Sequence, residues 1–196
     1  MANNSIPVSV IIRTLNEARY LGDLLSAIAR QRRVNIDLET VVIDSGSTDD
    51  TIKIAKAHGA KLRFINKRDF TFGRSLNQGC EFSTGKILVF VSGHCVPTDQ
   101  FWLQNLCQPI IDGRVSYCYG GQVGDDTNNY SERRIFARYF PSKSAIPQQG
   151  YFCNNANAAI RRDVWESFKF DEDITGLEDM ELAKRISASA HLLGYT

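Results

Sequence analysis

Residues 8–17 read VSVIIRTLNE, and this stretch decides the fold. Val8 to Arg13 is a short, β-branched apolar run without alternation, the pattern of a strand buried on both faces of a parallel sheet. A helix is expected to follow at once. Thr14 and Glu17 have the T-x-x-E spacing of a capping box, and Leu21, Leu24, Leu25 and Ile28 then recur on one helical face. The unit repeats: Glu39 to Asp44 reads as a strand, Ser47 and Asp50 as a second capping box, and Ile52, Ala55 and Lys56 as helix up to Gly59. Lys61 to Ile65 is a third strand, Gly73 to Phe82 a helix, and Ile87 to Val91 (ILVFV) a fourth strand ending at Ser92, Gly93 and His94. Strand and helix alternate, which implies an α/β fold with a mainly parallel sheet.

After Pro97 the rhythm loosens. A helix is expected near Phe101 to Ile111, a strand near Val115 to Tyr119, and a mobile loop over Gly120 to Glu132. Ala156 to Arg161 returns to the sheet, Arg162 to Phe168 is a short helix, and Glu178 to Leu192 a longer one. With 196 residues, 43% of them hydrophobic, and no convincing linker, one domain with one substantial core is expected.

Composition excludes several classes. Lys and Arg total 23 against 22 for Asp and Glu, so the formal charge of +1 offers no long-range attraction for a nucleic acid. The five cysteines are odd in number and lack a C-x-x-C pair, which argues against a disulfide framework or a structural zinc and for a reducing cytoplasm. No signal peptide or transmembrane segment is read, so membrane contact is expected to be peripheral at most. No G-x-G-x-x-G follows the first strand and no P-loop occurs anywhere, which removes the dinucleotide and nucleoside-triphosphate cradles.

In an open parallel sheet, ligands sit beyond the carboxyl ends of the strands, so Thr14, Asn16, Glu17, Asp44, Ser92 and His94 are the candidates. Asp44 precedes the turn Ser45-Gly46-Ser47, which is expected to expose its carboxylate to a ribose hydroxyl or a base N–H; the plain alternative is a cap on the next helix. Asn16 reads either as a nucleobase contact or as a solvated amide, whereas capping alone explains Thr14 and Glu17. His94 stands where a divalent cation would neutralise a diphosphate, although a lone histidine is commonly structural or solvated. Glu178 and Asp179 open a helix, where either a general base or an ordinary acidic helix start fits.

These pieces occur in a familiar order. VSVIIRTLNE, VVIDSGSTDDT, FTFGRSLNQG, ILVFVSGHCVP, GGQVG, SERRIFARYFP, CNNANAAIRRDVW and FDEDITGLEDMELAKR together resemble the family 2 glycosyltransferases of the GT-A fold, in particular the bacterial rhamnosyltransferase-like branch. The resemblance covers nearly the whole chain. It implies a nucleotide-sugar-binding part over about residues 1–97 and an acceptor-binding part over about 98–196. It further implies an inverting transfer from a nucleoside diphosphate-sugar to a hydroxyl of a saccharide or lipid-linked saccharide, in surface polysaccharide or glycoconjugate synthesis. The setting would be cytoplasmic, at the inner face of a membrane.

Carried over residue by residue, the resemblance assigns the nucleotide sugar to Thr14, Asn16, Glu17, Asp44, Ser45, Arg74, Asn77, Ser92 and Gly93, and the base to Asp179 with Glu178 beside it. Three departures stand out. Ser92 and His94 replace the first and third acids of the metal-binding D-x-D-like motif, which makes Mn²⁺ a better fit than Mg²⁺ and leaves a metal-free mode open. Leu76 replaces an Arg before Asn77, for which Arg74 is the expected substitute. The family continues past the GY of this chain with another strand and often a metal-binding His, so a fragment of a longer enzyme is implied. A catalytically silent nucleotide-binding or assembly domain is the rival reading. A Cys-His hydrolase using Cys95 beside His94 is a poor one, because neighbours on a strand point to opposite faces.

Overall fold

The computed structural model describes residues 5–124 and 139–196. The non-alternating runs form the middle of the sheet: Ile87–Val91 is buried throughout, as are Val8 to Ile12, because helices cover both faces of these strands. The strands are β1 (Ile6–Thr14), β2 (Ile36–Asp44), β3 (Lys61–Phe64), β4 (Ile87–Ser92), β5 (Tyr117–Tyr119), β6 (Asn157–Arg161) and β7 (Leu193–Tyr195). The six α-helices among the described residues are α1 (Ala18–Ala29), α2 (Thr51–Ala57), α3 (Phe72–Phe82), α4 (Trp102–Ile111), α5 (Arg162–Phe168) and α6 (Glu178–Ala188). The sheet order is β3-β2-β1-β4-β6-β5-β7, parallel except for β6, which runs antiparallel to both neighbours.

Strand pleating divides the core in two. Val8, Val10 and Ile12 of β1 point to the face covered by α1, α2 and α4, while Ile11 points to the face covered by α3, α5 and α6. This is the mainly parallel α/β architecture expected from the sequence. The reversal of β6 was not expected, and β7 lies in the GY segment at which the family pattern was read as breaking off.

Both capping boxes are corrected. β1 runs one residue further than the apolar stretch, since Thr14 still pairs with Asp44, and α1 begins only at Ala18, so Thr14 is too early to be its cap. Ser47 likewise points away from α2, which begins at Thr51 with Asp50 at its N-cap and no side-chain cap bond. One residue serves both helices instead: Asp49 accepts from the backbone N–H of Ala18 at 3.1 Å and of Thr51 at 3.0 Å. The last helix stops at Ala188, short of Leu192. Of the expected Gly120 to Glu132 loop, residues 125–132 lie outside the described residues, and residues 120–124 carry no regular structure.

Candidate active site

β1, β2 and β4 all run toward one edge, and β6, being reversed, starts there: Asn157 pairs with Val91 as Thr14 pairs with Asp44. The polar residues singled out in the sequence gather at this edge, in roles that differ from those expected. Asp44 is 1% exposed, not presented to solvent. Its Oδ1 accepts from the N–H groups of Gly46 (2.9 Å) and Ser47 (2.8 Å), and its Oδ2 from the hydroxyls of Thr14 (2.9 Å) and Ser47 (2.5 Å). Neither a free carboxylate nor a helix cap, Asp44 ties the end of β2 to β1 and shapes the turn that follows. Ser45 is also committed, donating its hydroxyl to the Thr14 carbonyl at 3.1 Å. These three residues are the floor of the edge.

Above the floor stands Asn16, exposed and at φ 58°, a left-handed conformation that Asn tolerates better than most residues. Its Oδ1 accepts from the Thr48 N–H at 2.8 Å, which fixes the two strand-end turns against each other. Glu17 reaches His94, whose Nδ1 lies 3.1 Å from Glu17 Oε1, rather than capping its helix. Gly93 makes that approach possible. A Cβ there would come within 2.9 Å of Glu17 Cγ and 3.1 Å of the Arg13 carbonyl oxygen. His94 and Cys95 follow the end of β4 in a turn, and among the described residues no three His, Cys, Asp or Glu side chains group as metal ligands. Ser92 sits at the end of β4, its N–H bonded to the Ala156 carbonyl at 3.3 Å.

One further expectation is corrected, and another residue is found partly engaged. Asn77 is 2% exposed and all its polar capacity is used inside the protein: Oδ1 accepts from Trp165 Nε1 and the Phe170 N–H, and Nδ2 donates to the Phe170 carbonyl and Glu172. It staples α3 to α5 and the segment after it, leaving nothing for a ligand. Arg74 is likewise held, with Nε 2.9 Å from Glu172 Oε2 and a second nitrogen on the Asp69 carbonyl.

The cation the sequence reading missed is Arg13. It points from β1 to the side of the sheet covered by α6, where its guanidinium lies 3.3 Å from Glu178 Oε1 and stacks over the Phe72 ring at 4.8 Å. Burial pulls the Arg13 pKa below its ordinary value, against the carboxylates of Glu178 and Asp179, which hold it up. Glu178 itself is 5% exposed. Asp179, next in sequence and half-buried, accepts from the Asn155 N–H through Oδ2 (3.1 Å) and from the Met180 N–H through Oδ1 (2.8 Å). Leu177, which leads into α6, has φ 61° and is 69% exposed, an unusual combination for a leucine. The signal for Arg13 was available, as a charge closing an apolar strand. For Asn155, only the doubled Asn before β6 hinted at a role.

A model of glycosyl transferase family 2 matches residues 9–168. The chain belongs to glycosyl transferase family 2. Among curated relatives it is 26% identical over 203 residues to glycosyltransferase AglE of Haloferax volcanii, covering 96% of this chain and 64% of the relative. It is 27% identical over 204 residues to the O-antigen chain rhamnosyltransferase RfbN of Salmonella typhimurium, covering 96% and 63%. The chain thus spans under two thirds of the length of these family 2 relatives. Among solved structures, the fold matches the mannosyltransferase PcManGT of Pyrobaculum calidifontis, in complex with GDP-Man and Mn²⁺, with a TM-score of 0.75 at 20% identity over 98% of this chain and 57% of that one.

Proposed function

We propose that this family 2 chain is the nucleotide-sugar-binding core of an inverting glycosyltransferase, with residues 1–97 on the donor side and 98–196 on the acceptor side. The observation that carries the reading is the arrangement of Asp179, a half-buried carboxylate at a helix start, held by two N–H groups beside the edge where β1, β2 and β4 end. Asp179 takes the proton of the acceptor hydroxyl as that oxygen forms its bond to the anomeric carbon, and the bond to the diphosphate breaks on the opposite face. The nucleoside diphosphate leaves with the electron pair. Arg13, neutralised in part by Glu178, supplies positive charge near the base, and Asn16, Ser47 and Thr48 offer polar groups to the nucleoside above the Asp44 floor.

His94 and Glu17 would hold a divalent cation at this edge, and such an ion would supply positive charge to stabilise the leaving group. An imidazole in the set favours Mn²⁺ over Mg²⁺. The acceptor is a saccharide or lipid-linked saccharide hydroxyl, met at the cytoplasmic face of a membrane; no helix among the described residues is long and apolar enough to cross one. Asp179→Asn tests the reading: nucleoside diphosphate release from a sugar donor with Mn²⁺ should be lost, with nucleotide affinity kept. Wild-type release by that variant would remove Asp179 as base. A second reading, a silent nucleotide-sugar-binding or assembly domain, is favoured by Ser92 and by the lack of a third metal-binding side chain around His94 among the described residues. Failure of the wild-type protein to release nucleoside diphosphate from any donor, with or without acceptor, would select it.

A further inference from the structure

Two buried asparagines in this protein are treated very differently. Asn77 pairs both ends of its amide, as a structural staple does. Asn155 is equally buried, at 2% exposed, yet its Nδ2 has no hydrogen-bond partner among the described residues. Leaving a buried donor unpaired is costly, so packing alone does not account for an amide at this position. The paired end points to another role. Asn155 Oδ1 accepts from the Tyr117 hydroxyl at 2.5 Å, and the backbone N–H of the same residue donates to Asp179 Oδ2 at 3.1 Å.

Resting on the reading of Asp179 as base, we propose that Asn155 is its positioning residue: Tyr117 locks the Asn155 side chain, and the locked residue aims its N–H at one oxygen of the Asp179 carboxylate. The other oxygen is already fixed by its own helix through the Met180 N–H. With both oxygens held, the carboxylate keeps one orientation toward the acceptor. The anchor is rigid, since Tyr117 is 1% exposed within β5, between Ile160 of β6 and Leu193 of β7. Burial also pushes the Tyr117 pKa well up, so the phenol keeps its proton and stays a donor. The segment that carries Asn155 leads directly into β6, so the tether is set by the sheet rather than by a free loop.

The test removes the lock without touching Asp179. Tyr117→Phe should lower kcat by about tenfold to a hundredfold, as small misplacements of a reacting group do, with the donor KM within about twofold of wild type. Hydrogen exchange at the Asn155 amide, which requires no turnover, should become faster in the same variant; unchanged exchange would overturn the lock. Because Tyr117→Phe also strands Asn155 Oδ1, a second variant combines it with Asn155→Leu, which removes both polar partners and should recover the lost thermal stability. If kcat recovers along with stability, the role is structural and the proposal falls; if stability returns and kcat does not, it stands. Asp179→Asn run in parallel separates the two ideas. An inactive Asp179→Asn with a fully active Tyr117→Phe rejects only the tether, whereas an active Asp179→Asn rejects the base and the tether's catalytic purpose together.

Discussion

Glu39 shows how a single carboxylate can be held by its surroundings. Burial pushes its pKa up, but hydrogen bonds from Lys61, Ser9 and Thr84 outweigh that and bring it down to about 2 from an ordinary 4.5. A depressed carboxylate contributes stability above its unfolded pKa and loses it as the pH falls toward the folded value. Thermal melts of Glu39→Gln should therefore show a lower Tm than wild type at neutral pH, with the gap closing between pH 4.5 and pH 2. A gap that persists below that window would mean the contribution is not ionic. At Arg13, the mostly buried pair with Glu178 predicts a different pattern. Arg13→Met strands the Glu178 charge and should cost about 3–5 kcal/mol in urea unfolding, while adding Glu178→Leu should return most of it.

Among the elements, α3 packs closest. A Cβ on Gly73 would lie 2.1 Å from the backbone oxygen of Asp171, and one on Gly79 2.5 Å from Ile11 Cγ2. A backbone oxygen cannot swing aside as a methyl can. Gly73→Ala should then destabilise by about 1–3 kcal/mol or more, and Gly79→Ala by less, as measured by chemical denaturation. The elements were also where the sequence was most readable: β1 and β4 are apolar runs buried on both faces, which leaves them few alternatives, whereas β2 was read only from Glu39 because its first half, Ile36 to Glu39, alternates with charges. Three-residue β7 and the reversal of β6 were not readable, because neither the short segment LGY nor the direction of a five-residue strand leaves a periodic trace. Both capping boxes misled for a local reason. The T-x-x-E and S-x-x-D spacings are real, but a strand that runs on to Thr14 and a side chain that turns back to Asp44 use those hydroxyls first.

For the whole molecule, the sequence located the edge of the sheet but not the partners met there. Asp44 was read as a ligand contact from its place at a strand end, and Asn77 and Arg74 from the family resemblance. Each is engaged by residues that fold against it, and Glu172, which holds both Arg74 and Asn77, is nearly a hundred positions away. Arg13 was marked by its place at the end of an apolar strand, but its partner Glu178 was not, and the contact of Asn155 with Asp179 leaves no local trace in either segment. The same enclosure governs the thiols. Cys80, Cys107, Cys118 and Cys153 are buried, with burial pushing each thiol pKa up, and only Cys95 keeps partial access. Burial and the Glu17 carboxylate raise the Cys95 pKa too, so a thiol-specific chromogenic reagent should label Cys95 slowly but ahead of the other four in the native protein, and all five after denaturation. Labelling of the other four at the rate of Cys95 would show that the core opens readily.

The reversed strand has an evolutionary corollary. Because β6 enters the sheet where its neighbours leave it, the chain before it must come back to that rim, and on the way Ala145 and Gln148 bond to β7 at the margin of the sheet. Exchanges on the exposed residues between Ser142 and Gly150 can thus alter that margin, provided the bonds of Ala145 and Gln148 to β7 are kept, without reaching the Asp44 network on the far side of the sheet. Change along that margin and change in the buried base of the β1–β2 turn therefore act on separate stretches of polypeptide.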